Sequence, residues 1–327
     1  MSFQKSLLAA MVASAALSTV AAPLPQLNID KSQTTVSGIS SGGYMAVQLH
    51  VAYSSRFAKG VAAIAGGPFN CAESSVVNAL TRCFGKGAIP VEGLVETTKK
   101  WAGENAIDAT SAMSNSKVYL FSGSKDAVVQ PSTSDALSKY YAAFLPAANI
   151  AVKKDIPAAH GFVTDEGTAA CDNVAAPFIN NCGFDLSGAL LQHLYGALNA
   201  KKSGALDGAL VEFEQAPFEA AHGMGTSGYA FVPKSCASGQ SCRVHVALHG
   251  CKQNAGDVGD AFAKNAGYNR WADSNNIVVL YPQTGKGATN GCWDWWGYDD
   301  AGYAKKSAPQ MKAIIAMLDR LSSGAAK

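Results

Sequence analysis

Short, mainly apolar runs alternate with amphipathic stretches along most of this chain. Gly60–Ala65 (GVAAIA), Lys117–Phe121 (KVYLF), Arg243–Leu248 (RVHVAL) and Ile277–Tyr281 (IVVLY) are rich in β-branched and aromatic residues. Such runs mark strands buried on both faces rather than one. The β-prone segment 33–37, the alternating run Ile150–Ile156, Leu210–Phe213 and Gly228–Val232 predict four more strands. Between them, Tyr44–Tyr53 carries no helix breaker and Ser132–Phe144 opens on a residue suited to an N-cap. Asp260–Asn275 also reads as a helix, and Gln310–Leu321 as an amphipathic one. Strands taken in turn with helices predict an α/β fold, a mainly parallel sheet with helices on both faces. Residues 70–115 are mixed in character and predict a helical insertion over the sheet. The loosest stretch, 196–209 (GALNAKKSGALDGA), reads as a join, and no repeat or linker divides the chain.

The N-terminus adds a compartment. Lys5 precedes the apolar stretch LLAAMVASAALSTVAA, which ends in small residues with Thr19 and Ala21 at a cleavage pattern. This predicts a signal peptide over residues 1–21, removed near Ala21, and a single secreted domain over 22–327 delivered to the medium or the periplasm. No later stretch is long and apolar enough to anchor the chain, so no membrane span is expected. With 26 Lys and Arg against 24 Asp and Glu, the charge is nearly balanced and no nucleic-acid partner is expected. Eight cysteines in an exported chain read as disulfides, and with no C-x-x-C pair or ligand-spaced histidine a metal site is not expected. Closeness in sequence favours Cys71–Cys83, Cys171–Cys182 and Cys236–Cys242, which leaves Cys251 to pair with Cys292.

Chemistry enters at residues 36–45, VSGISSGGYM. A strand, G-x-S-x-G and a helix in succession form a nucleophile elbow, in which a sharp turn presents one serine at its apex. Only Ser40 has a glycine two residues before it (Gly38) and two after (Gly42). Of the six histidines, His50 and His193 fall on predicted helices, and His222 and His245 have no distinctive context. His160 follows a strand directly, where a parallel sheet gathers its catalytic loops. Asp126 likewise leaves the strand KVYLF through SGSK. The order Ser40, Asp126, His160 is the serine–acid–histidine order of α/β-hydrolases.

The elbow also supplies one oxyanion donor, the backbone N–H of Ser41. A second donor is expected from a strand running into His-Gly, and VHVALHGC at 244–251 is such a segment. In the usual order this motif precedes the nucleophile; here it comes some 200 residues later. Cutting the usual order before the nucleophile strand and joining the old ends near 196–209 reproduces the sequence, so the chain reads as circularly permuted. On this reading the segments 244–248 and 33–37 are parallel neighbours.

The runs GISSGGYM, AAHGF around His160, LHGCKQN from Leu248, VVLYPQ from Val278 and NGCWDWW from Asn290 resemble the secreted polyhydroxyalkanoate depolymerase and esterase family. The permuted order is similar to its single-domain fungal-type members, which hydrolyse poly(3-hydroxybutyrate), and the likeness spans nearly the whole mature chain. The resemblance implies an α/β-hydrolase fold, the triad Ser40, Asp126 and His160, and an oxyanion hole of the Ser41 and Cys251 amides. It implies no cofactor, and a monomer acting on a polyester polymer or oligomer. Trp293, Trp295 and Trp296, beside Tyr298 in a loop rich in Gly and Asp, are expected to offer the ester chain an apolar surface. No separate substrate-binding domain is expected. A feruloyl or acetyl-xylan esterase uses the same triad and is the alternative within the enzyme class; a catalytically silent secreted binding protein is the alternative outside it.

Overall fold

The computed structural model describes residues 21–324; all but Ala21 of the expected signal peptide lies outside them. Eight strands form one sheet: β1 (Thr35–Ile39), β2 (Gly60–Ile64), β3 (Lys117–Phe121), β4 (Ile150–Lys153), β7 (Ala209–Glu214), β8 (Ser227–Val232), β9 (Arg243–Leu248) and β10 (Ile277–Tyr281). Two short strands, β5 (Phe162–Thr164) and β6 (Ile179–Asn181), pair with each other outside it. The sheet order is β4-β3-β2-β1-β9-β10-β8-β7, parallel from β4 to β10, with β8 and β7 added antiparallel at one edge.

Strand pleating divides the core in two. Val118 and Leu120 face one apolar layer and Tyr119 and Phe121 the other. The first layer is closed by α1 (Ser41–Ala52) and the helices Val91–Gly103, Pro131–Ala142 and Pro309–Leu321. The second is closed by the helices Leu186–Tyr195 and Tyr268–Asn275. This is the two-sided α/β-hydrolase sheet expected from the sequence. No helix among the described residues is long and apolar enough to cross a membrane.

The pairing of β1 with β9, Thr35 against His245 through Gly38 against Leu248, is the parallel contact that the permuted order requires. The ends meet as well: the Leu27 amide donates to the Leu321 carbonyl at 2.7 Å. Residues 196–209 form an irregular link whose Asn199 amide and Asn199 side chain hydrogen-bond the Ser274–Asn275 end of a helix.

Local departures have local causes. The expected helix 260–275 is two helices, Ala261–Asn265 and Tyr268–Asn275, because Gly267 between them takes φ +85°. Pro131 fills the first turn of its helix, so Ser132 lies inside the helix and does not cap it. β1 starts at Thr35 because Lys31–Gln33 form a 3-10 turn, capped by the Asp30 side chain. Segment 70–115 divides: Cys71, Ala79 and Cys83 pack on Tyr44 and Trp295, whereas Val91, Leu94 and Val95 join the main core.

Three histidines are fully buried. His245 lies between the hydroxyls of Thr35 and Ser37, each 2.7 Å away, with the Tyr268 hydroxyl on Ser37. His50 lies 3.0 Å from the Tyr141 hydroxyl. Burial pushes their pKa values down from 6.5 to about 3, and that of His249 to about 4. Below pH 6.5 the unfolded chain therefore binds protons that the folded chain refuses, so stability is lost as the pH falls through this window. The slope should approach about 1.4 kcal/mol per pH unit for each ring. Urea unfolding at several pH values checks this, and His245→Gln should remove about one proton from the slope. A profile flat between about pH 6 and 4.5 would show that the rings take up charge in place.

Candidate active site

Ser40 is the single residue between β1 and α1 and takes φ +56°, ψ −121°. For a non-glycine residue this conformation costs on the order of 1–3 kcal/mol, so the surroundings must hold it. The Ser40 amide donates to the Ile64 carbonyl at 2.8 Å, and the Ser40 carbonyl accepts from the Tyr44 amide at 3.0 Å. Two close approaches explain the flanking glycines. A Cβ on Gly38 would sit 2.1 Å from the Gly42 carbonyl oxygen; one on Gly42 would sit 2.4 and 2.5 Å from the carbonyl oxygens of His249 and Leu248. The start of α1 is thus pressed against its own strand and against the end of β9, and only glycine fits at both contacts.

Asp126 and His160 leave the ends of β3 and β4 on loops that hydrogen-bond each other. The Ser124 amide donates to the Ile156 carbonyl at 2.8 Å and the Lys125 amide to the Ala158 carbonyl at 3.1 Å. Asp126 Oδ1 accepts the Val128 and Val129 amides, both at 2.9 Å. Its Oδ2 faces His160 Nδ1 at 2.8 Å, and His160 Nε2 lies 3.0 Å from Ser40 Oγ. The Asp126 side chain is 1% exposed and the His160 ring 18%, so the acid is sealed in while the imidazole borders solvent. A carboxylate at Nδ1 favours the tautomer whose Nε2 accepts the serine proton.

A support invisible in the sequence pattern holds His160. The β5–β6 pair starts two residues after it, and the Phe162 amide donates to the Phe178 carbonyl at 2.7 Å. The Ala159 amide donates to the Cys171 carbonyl, and Cys171 is bonded to Cys182.

The two expected oxyanion donors flank Ser40. Ser41 is the first residue of α1, so its N–H has no acceptor one turn back. The His249-Gly250-Cys251 loop passes on the other side, where a Cβ on Gly250 would be 3.4 Å from Ser40 Cβ. The structure bonds Cys251 to Cys292, and Cys71 to Cys83 and Cys236 to Cys242.

Ser40 and His160 open onto a cleft of about 650 Å³ whose walls include Leu80, Phe84, Val128, Phe178 and Trp295. Trp295 is stacked on Tyr44 with ring centres 4.2 Å apart, and Trp296 lines the same wall. Trp293 is a correction to the sequence reading. It is fully buried in the main core and its indole N–H donates to the His249 carbonyl at 3.1 Å, so it supports a loop and does not face the cleft. Asp294 organises the turn after the tryptophans by accepting the backbone amides of Gly297, Tyr298, Asp299 and Asp300.

Sequence reasoning also missed the rim. Six large apolar side chains are exposed among the described residues, and four of them, Val76, Leu80, Val128 and Val174, border this cleft. The one available signal was the unbroken apolar pair and leucine inside the cysteine-bounded segment CAESSVVNALTRC.

Comparison with known proteins places these features among relatives. The family model described as Esterase PHB depolymerase matches residues 227–322, from β8 to the last helix, which contain HGC and CWDWW. A poly(3-hydroxybutyrate) depolymerase of Delftia acidovorans is 59% identical over 305 residues, or 92% of this chain; the chain spans 62% of that relative's length. A polyhydroxybutyrate depolymerase of Talaromyces funiculosus is 38% identical over 96% of both chains. The solved structure of a PHB depolymerase from Penicillium funiculosum shares 37% identity at a TM-score of 0.87, covering 92% of this chain and 99% of its own. A PHB depolymerase complexed with an R3HB trimer matches to the same extent.

Proposed function

The chain belongs to the poly(3-hydroxybutyrate) depolymerase family, and from that premise we propose that it is a secreted serine esterase that hydrolyses poly(3-hydroxybutyrate). The observation that carries the reading is the continuous relay from Asp126 through both nitrogens of His160 to Ser40 Oγ. His160 takes the Ser40 proton as the oxygen attacks the ester carbonyl. Asp126 holds the tautomer and supports the imidazolium, and the Ser41 and Cys251 amides stabilise the oxyanion. The protonated His160 returns its proton to the departing alcohol; it then takes a proton from water, whose attack releases the acyl group. Four disulfides among the described residues support an oxidising compartment, and hence export. The protein is read as a monomer.

A solid polyester presents an apolar surface, and the exposed apolar rim lies where such a surface would meet the cleft. Each rim side chain withdrawn from water contributes about 1.5–3 kcal/mol. Replacing Leu80 with serine, or Trp296 with alanine, should therefore slow erosion of a polymer film by about tenfold or more. Turnover of a small soluble butyrate ester should change far less. The test is purified protein on a poly(3-hydroxybutyrate) film, with the released products weighed by mass spectrometry. Hydroxybutyrate oligomers are expected; hydrolysis confined to feruloyl or acetyl-xylan esters would overturn the polymer assignment.

A further inference from the structure

The apolar walls of the cleft are interrupted by a polar group of lining residues, Lys252, Thr289 and Asn290, all three exposed. They belong to two loops that are held together. The Lys252 amide donates to the Asn290 carbonyl at 3.0 Å, and the Cys251–Cys292 disulfide lies directly beside this contact. Lys252 takes φ +56° and Asn290 φ +52°. Left-handed backbone is uncommon outside glycine and is kept only where the surroundings hold it, so the base of each side chain has a set direction. None of the three side chains hydrogen-bonds another described residue.

Lys252 brings the one permanent charge in the lining. No aspartate or glutamate lines the cleft, and the Asp126 carboxylate is sealed behind the His160 ring. No carboxylate among the described residues pairs with the Lys252 ammonium. A cation without a counter-charge, beside walls that exclude water, attracts an anion with less screening than on open surface. A linear hydroxyacid oligomer supplies that anion, because it ends in a hydroxyl at one end and a carboxylate at the other. From any of its ester links, the carboxylate end is reached through the alcohol oxygen.

We propose that Lys252 is a specificity-determining residue, whose ammonium binds the free carboxylate end of a short hydroxyalkanoate oligomer. The inference rests on the serine-esterase reading above and deepens it. It gives the cleft a direction: the leaving alcohol lies on the side of Lys252, Thr289 and Asn290, and the acyl part on the other side of Ser40. Each polymer chain carries one carboxylate end whatever its length. The pair therefore counts for little on a film and for more as the fragments shorten.

The test compares two substrates within each protein: the 3-hydroxybutyrate trimer as its free acid, and the same trimer capped as an uncharged terminal amide. Taking the ratio of their kcat/KM values cancels any shift of the neighbouring donor loop, which would affect both alike. At low salt and neutral pH the wild type should favour the acid by about 3–10-fold, with the difference carried by KM. That ratio should fall toward one in Lys252→Met, stay near the wild-type value in Lys252→Arg, and drop below one in Lys252→Glu. Half-molar salt should also bring the wild-type ratio toward one, a readout that depends on no variant folding. A wild-type ratio near one at low salt, or a ratio that survives in Lys252→Met, would overturn the inference. A wild-type protein that cleaves neither trimer would instead overturn the esterase reading itself.

Discussion

Replacing Ser40 with alanine should lower ester hydrolysis by about 10⁴–10⁶-fold and leave the fold intact, because nucleophile, base and acid act as one unit. Ser40 is half-buried at the mouth of the cleft, and among the described residues its hydroxyl hydrogen-bonds His160 Nε2 alone, so the core loses nothing. The strained backbone at φ +56° is set by the contacts of Gly38 and Gly42 and stays as it is. Ser41→Ala is the matched control. The Ser41 hydroxyl is buried without a hydrogen-bond partner among the described residues, and the role assigned to Ser41 belongs to its backbone amide. That variant should keep most activity and all of its stability. Labelling with a fluorophosphonate should show the same division: complete in the wild type and in Ser41→Ala, absent in Ser40→Ala. Labelling that survives in Ser40→Ala would put the nucleophile elsewhere, and no labelling of the wild type would favour a silent binding protein.

Cys292→Ser should reduce kcat on a soluble ester by about 10²–10³-fold, the range for a lost oxyanion donor. Cys251 belongs to the proposed donor loop, and Cys292 stands immediately before Trp293, whose indole N–H donates to the His249 carbonyl. Opening this bond frees a loop of 41 residues and so relaxes donor and aromatic wall together. In the loop-entropy picture the cross-link is worth about 4 kcal/mol. Cys83→Ser opens a loop of 12 residues, worth about 3 kcal/mol, yet what it frees is the rim helix Val76–Leu80 and not an oxyanion donor. Its soluble-ester kcat should stay near wild type while film erosion falls. The double variant Cys251→Ser with Cys292→Ser should match Cys292→Ser, which excludes an effect of the unpaired thiol. Equal kcat losses in Cys292→Ser and Cys83→Ser would dissolve the link between the disulfide and the donor.

Much of this was legible because it is local. The glycines around Ser40 are close in sequence, and Arg243–Leu248 and Ile277–Tyr281 are strands in the structure with the bounds read from their composition. The strand–loop positions of Asp126 and His160 are likewise set by the runs before them. The features that escaped depend on contacts between distant segments. Trp293 and Trp295 stand two residues apart in one loop, and only the approach of the His249 loop decides that the first is core and the second is wall. Gln253 gave no signal, yet it accepts from the Gly250 amide and donates to the carbonyls of Pro177 and Phe178, tying the donor loop to the support of His160. The break at Gly267 is the opposite case: the glycine was visible, but its left-handed conformation is set by where the next helix packs.

The ladder between β1 and β9 has one further consequence. Residues 40–160 carry the proposed triad, Ser40, Asp126 and His160, while residues 249–296 carry the proposed second donor and the aromatic wall. The two groups meet across four paired residues, Thr35 to Gly38 against His245 to Leu248. The proposed active site is therefore a seam between an early and a late half of one chain, and this ladder joins them together with the stacking of Trp295 on Tyr44 and the hydrogen bonds of Gln253. His245, fully buried between Thr35 and Ser37 and outside the lining of the cleft, works as a rivet across it. Substitutions along this joint, where only Gly38 belongs to the G-x-S-x-G motif, should therefore shift the proposed donor loop against Ser40 while leaving Ser40, Asp126 and His160 in place.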